Sequence, residues 1–168
     1  MSLIIPDNLY KELARDTHLN DIQKQLFSFV TSIDEYKYLQ SELIDIRNVF
    51  FQKMKEMISN YEKSELNGLG LCLKISHPTS GEGRFLRWVR TDSYEKQKKG
   101  TKESVIIRFL RESDIPANHP IKLKIVKLDK ERILINTQMR ILCAMIKNLN
   151  IAIKSMDEAE QFLEKKSK

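Results

Sequence analysis

The sequence predicts an α+β domain in which long amphipathic helices pack on a small antiparallel sheet. Three observations carry that expectation. Apolar residues recur at steps of three and four over two long stretches, 32–65 and 121–165. Between them lie two short segments in which apolar and other residues alternate with a period of two. A cluster of turn formers, His77-Pro78-Thr79-Ser80-Gly81-Glu82-Gly83, separates the two segments.

The length of 168 residues suits one domain with an extension. We read residues 1–31 as an N-terminal helical extension and 32–168 as a single α+β domain ending in a long helix. In the extension, Asp7 and Pro6 can open a short helix through Ala14. A second follows, with Asn20 or Asp21 as cap and Leu19, Ile22, Leu26, Phe29 and Ile33 at helical spacing. Ser32 and Glu35 then form a capping box. From it runs a stripe of Tyr36, Leu39, Leu43, Ile46, Phe50, Met57 and Tyr61, closed by the stop signal Asn67-Gly68.

Leu69, Leu71, Leu73 and Ile75 fall on one face of the next segment, with Gly70, Cys72 and Lys74 on the other. After the turn cluster, Phe85, Arg87 and Val89 alternate with Leu86, Trp88 and Arg90. The two segments predict a hairpin over 69–90. A lone hairpin is marginal in water, so its leucine face must lie on the helices. Ser104 to Leu110, SVIIRFL, is β-branched and apolar and predicts a third strand, with a helix start as the alternative. Pro116 and Pro120 interrupt any helix across 113–120. Asn118 is the expected cap of the last helix, and Pro120 suits its first turn.

That last helix carries Ile121, Ile125, Leu128, Ile135, Met139, Leu142, Met145, Leu149, Ile153 and Met156, with one polar gap at Arg132. Unbroken to Lys165 it would measure about 65–70 Å, too long for one small compact domain. It must bend near Asn148 and Asn150 or pair with another chain, and a homodimer is the expectation. Residues 133–146 are apolar on more than one face, which predicts burial by several neighbours.

Net charge is +6, and it is not evenly spread. Between Arg84 and Arg132 stand 14 Lys and Arg against 7 Asp and Glu; the rest of the 29 and 23 leaves 15 against 16. A localised basic excess points to an anionic partner, although a lysine run is also what a solvated face looks like. Arg84, Arg87 and Arg90 on the second strand, with Lys96, Lys98, Lys99 and Lys102 in the loop after it, are the candidate nucleic-acid contacts. A two-stranded ribbon can enter a major groove. Lys122, Lys124, Lys127 and Lys130 are the next candidates. Trp88 is either a core anchor or a stacking platform; a small sheet's need for large side chains favours the core.

Catalytic and metal chemistry find no support. The histidines, His18, His77 and His119, share no helix face at metal spacing. Cys72 and Cys143 make no CxxC site, and Cys72 near His77 lacks a third orienting group. Gly68-Leu69-Gly70 precedes a strand, unlike a dinucleotide fingerprint, and Gly81-Glu82-Gly83 lacks the lysine and helix of a phosphate loop. No cofactor is implied. No apolar run approaches a membrane span, no secretory leader is evident, and two cysteines fit a cytoplasmic setting.

A helix running into NGLGLCLKI, a glycine-containing turn into FLRWVR, a lysine-rich segment and a long closing helix together resemble the MobI-type conjugative transfer proteins. The likeness covers residues 36–150. It implies a non-enzymatic accessory protein that handles double-stranded DNA at a transfer origin, alongside other transfer proteins. The alternative is a helical protein-interaction module such as an adaptor, chaperone or secretion-system component.

Overall fold

The computed structural model describes residues 32–77, 83–91, 104–116 and 118–166. They form helix α1 (Ile33–Glu62), strands β1 (Leu71–Ser76) and β2 (Phe85–Arg90), helix α2 (Val105–Glu112) and helix α3 (Pro120–Lys166). The fold is α+β, with long helices and a two-stranded antiparallel sheet. The expected helices within 1–31 lie outside the described residues. Among the described residues, no helix is long and apolar enough to cross a membrane.

Each element ends where its local chemistry dictates. The Ser32 Oγ accepts from the Glu35 backbone N–H at 3.3 Å, and the Glu35 carboxylate accepts from the Ser32 N–H at 3.1 Å. This is the reciprocal capping box. At the other end the Asn67 side chain donates to the Glu62 carbonyl at 2.8 Å, and Gly68 follows at φ 96°. That left-handed conformation costs glycine little.

The expected third strand is a helix. In α2, Ile106 and Phe109 stand three apart and both are buried, while Ile107 is half exposed. Burial of an i, i+3 pair against the hairpin overrides the β preference of the run Val105-Ile106-Ile107. Lys122 Nζ donates to the Leu110 carbonyl at 2.8 Å and covers an orphan acceptor at the end of α2. The cap of α3 is His119, whose Nδ1 accepts from the Ile121 N–H at 3.2 Å; Asn118 does not serve as the cap. Pro120 takes the first helical position.

The chain divides into two compact units, Met1–Phe50 with Arg140–Lys168 and Phe51–Met139. In the first, Leu39, Leu43, Ile46 and Phe50 of α1 are buried, as are Leu142, Ile146 and Leu149 of α3. Gln40 donates to the Asn150 side chain at 2.6 Å, and Lys37 lies 3.6 Å from Asp157. The helix continues through Asn148 and Asn150.

The second unit holds the sheet. Leu71 and Leu73 of β1 and Leu86 and Trp88 of β2 are buried on one face. Met54, Met57, Tyr61, Ile125, Leu128 and Ile135 complete much of this core. Trp88 is a core residue at 6% exposure. Its ring meets Tyr61 edge-on at 5.4 Å, and its Nε1–H donates to Asp129 Oδ1 at 2.8 Å. Arg132 Nε donates to the same oxygen at 2.6 Å. The polar gap in the α3 stripe is thus a buried-side network that satisfies the indole.

One expectation about α3 fails. Ile133 and Leu134 are about half exposed, as is Ile141, so 133–146 is covered on one face only. The packed stripe, Ile135, Met139, Leu142 and Ile146, occupies the other side.

Candidate nucleic-acid interface

Antiparallel pairing fixes which side chains share the hairpin's outer face. The register sets Cys72 against Val89, Lys74 against Arg87 and Ser76 against Phe85. Neighbouring residues point to opposite faces, so these six lie away from buried Leu71, Leu73, Leu86 and Trp88. Lys74 and Arg87 are both exposed. Cys72 sits here too, partly exposed. Neither strand contains an acidic residue.

Arg84, just before β2, and Arg87 and Arg90 within it have three different environments. Arg84 places its guanidinium carbon 3.9 Å from the centre of the Phe51 ring, and Lys55 Nζ stands 4.6 Å from the same ring. A cation–π contact holds a cation in place without cancelling its charge. Arg87 projects from the outer face. Arg90 belongs to the inner face with Leu71, its side chain only 8% exposed. It forms an ion pair with Glu112 and lies 6.0 Å from the Phe109 ring. Arg90 therefore clamps α2 to β2, and its charge is matched inside the unit. Lys96, Lys98, Lys99 and Lys102 lie outside the described residues.

The second candidate set is divided in the same way. Lys122 is held by the Leu110 carbonyl and Lys124 pairs with Glu65, while Lys127 and Lys130 are exposed. Among the described residues no group of three or more His, Cys, Asp or Glu is placed to hold a metal ion.

The scaffold beneath this face is rigidly specified. The Tyr61 hydroxyl donates to the Leu71 carbonyl at 2.8 Å and contacts the Leu66 carbonyl at 3.2 Å. Burial, with a smaller contribution from the nearby Cys72 thiol, pushes the Tyr61 phenol up to about 12.

Neither family models nor curated proteins nor solved structures offer a match to this chain. The reading of this face therefore rests on its own chemistry.

Lys74 is the site residue that inspection of the basic stretch alone passes over. It precedes Arg84 in sequence and comes beside Arg87 only through strand pairing. The alternation of Gly70, Cys72 and Lys74 contained the signal, since it placed Lys74 opposite the leucine face.

Proposed function

We infer that this chain is a non-enzymatic, cytoplasmic DNA-binding accessory protein of conjugative transfer. The observation that carries DNA binding is an exposed Arg87 on an acid-free outer ribbon face, within the segment that holds the whole basic excess. Phosphate contacts come chiefly from arginine and lysine and supply affinity more than sequence discrimination. Arg84, Arg87 and the loop residues Lys96, Lys98, Lys99 and Lys102 form the contact set, joined by Lys74. Arg90 is left out because Glu112 neutralises it. The transfer role rests on the likeness of NGLGLCLKI and FLRWVR to the MobI-type proteins, stretches that cover most of β1 and all of β2.

The exposed apolar side chains of α3 support a homodimer through that helix. In the unit Phe51–Met139 they are Leu123, Val126, Ile133 and Leu134; in the other unit they are Ile141, Ile151, Phe162 and Leu163. The same side chains favour a second reading, in which α3 docks a different protein and the chain is an adaptor.

Fluorescence anisotropy with a transfer-origin duplex and a random duplex separates these readings. Binding to both at low salt, with preference for the transfer origin, supports the accessory role. Binding to neither removes DNA and leaves the adaptor.

A further inference from the structure

We propose that Lys74 and Arg87 form a two-pronged clamp for a single phosphodiester group of a nucleic-acid backbone. The proposal deepens the DNA-binding reading and rests on it for the identity of the ligand. Its basis is the directly opposed placement of two like charges. The register sets Lys74 across from Arg87, and both side chains are exposed. Directly opposed residues on one face of an antiparallel pair hold their Cβ atoms about 5 Å apart. An ammonium and a guanidinium anchored at that separation can converge on one phosphate-sized oxyanion. Arginine can offer paired N–H groups, and lysine a mobile point charge.

The free protein holds these cations at a cost. Like charges directly opposite each other destabilise a sheet. Three other cations of the unit have acidic partners: Arg90 has Glu112, Arg132 has Asp129 and Lys124 has Glu65. Among the described residues neither Lys74 nor Arg87 has an acidic partner, and their own strands offer none. Their neighbours on the face are Cys72, Ser76, Phe85 and Val89, none of which carries a carboxylate. A phosphate bound between the two removes the repulsion and gains two charge-assisted contacts at once. Binding and hairpin stability are therefore coupled at this pair.

Two measurements on the full chain test this, using wild type, Lys74→Gln, Arg87→Gln and the double variant. The first is the thermal midpoint without ligand at low and high salt. Each single variant is expected to melt above wild type at low salt, and the difference should vanish at high salt as screening removes the repulsion. The second is affinity for a short DNA duplex. Each single variant should lose roughly tenfold, the scale of one charge-assisted hydrogen bond. The double variant should lose less than the product of the two, because both groups serve one phosphate.

Inorganic tripolyphosphate serves as a second probe and separates the clamp from its nucleic-acid context. If wild type ignores duplex DNA but its midpoint rises with tripolyphosphate, and neither single variant responds, the clamp stands and the DNA reading falls. If duplex affinity is the same in wild type and both single variants, the clamp is overturned while DNA binding stands. Single variants that melt below wild type at low salt overturn the clamp as well, since the pair would then stabilise the hairpin. A wild type indifferent to both ligands overturns both proposals.

Discussion

Asn136 holds Leu86 by both of its backbone groups. The side-chain carbonyl accepts from the Leu86 N–H at 2.9 Å, and the side-chain amide donates to the Leu86 carbonyl at 2.9 Å. Both residues are buried. Leu86 sits on the edge of a two-stranded sheet, so the helix supplies through Asn136 the pairing that a third strand would give. Arg132 Nη1 also approaches the Leu86 carbonyl at 3.4 Å. Asn136→Leu keeps the volume but strands the amide and weakens the carbonyl's hydrogen bonding. We expect a loss of about 1–3 kcal/mol in chemical denaturation. An unchanged midpoint would show that this bidentate contact does not set the hairpin's position on α3.

Trp88 separates packing from hydrogen bonding. Trp88→Ala empties a large buried site and should cost about 3–5 kcal/mol. Trp88→Phe keeps most of the apolar contact with Tyr61 but removes the donor to Asp129. It should cost less, about 1.5–3 kcal/mol, the scale of a hydrogen bond to a charged group. Equal losses in the two variants would show that the Asp129 contact, and not ring burial, dominates.

Tyr61 predicts an alkaline limit to stability. Its phenol titrates at about 12 in the folded chain against an ordinary 10.0. A raised acid pKa means that folding favours the neutral, proton-donating form. The stabilisation is complete below the unfolded value and is lost as pH rises from 10.0 through the folded value. Phenolate absorbance should therefore show one tyrosine titrating late and together with unfolding. Tyr61→Phe should remove that late step. A late step that survives the substitution would assign it to another tyrosine.

The long helices were legible because each carries a regular stripe: Leu39, Leu43, Ile46 and Phe50 in α1, and Ile135, Met139, Leu142 and Ile146 in α3. The capping box at Ser32 and Glu35 could be read from four letters. The hairpin faces followed from alternation, including the burial of Trp88. What failed were decisions made by tertiary contacts. Val105-Ile106-Ile107 looks like a strand until Phe109, Glu112 and Lys122 bind it as a helix. Ile133, Leu134 and Ile141 look like core by composition, yet each is about half exposed. Arg90 alternates onto the face of Leu86 and Trp88, but the partner that lets its charge sit there, Glu112 of α2, is a tertiary contact.

Those uncovered side chains give the prediction for assembly. At micromolar concentration the full chain should sediment as a dimer, and Leu134→Glu should shift it to a folded monomer whose thermal midpoint no longer depends on protein concentration. A monomeric wild type under the same conditions would contradict self-pairing and turn attention to a different protein partner for α3.

The central claim is that the basic segment binds the phosphates of duplex DNA, and the salt dependence of affinity tests it most directly. Each neutralised phosphate releases counterions, so the logarithm of affinity should fall with the logarithm of salt by about 0.9 per contact. Anisotropy titrations at several salt concentrations should give a steep line for the wild type. Replacing Lys96, Lys98, Lys99 and Lys102 by alanine should flatten that line and weaken transfer-origin and random duplexes about equally. A wild type that binds neither duplex at low salt, or a variant whose line matches the wild type's, would contradict it.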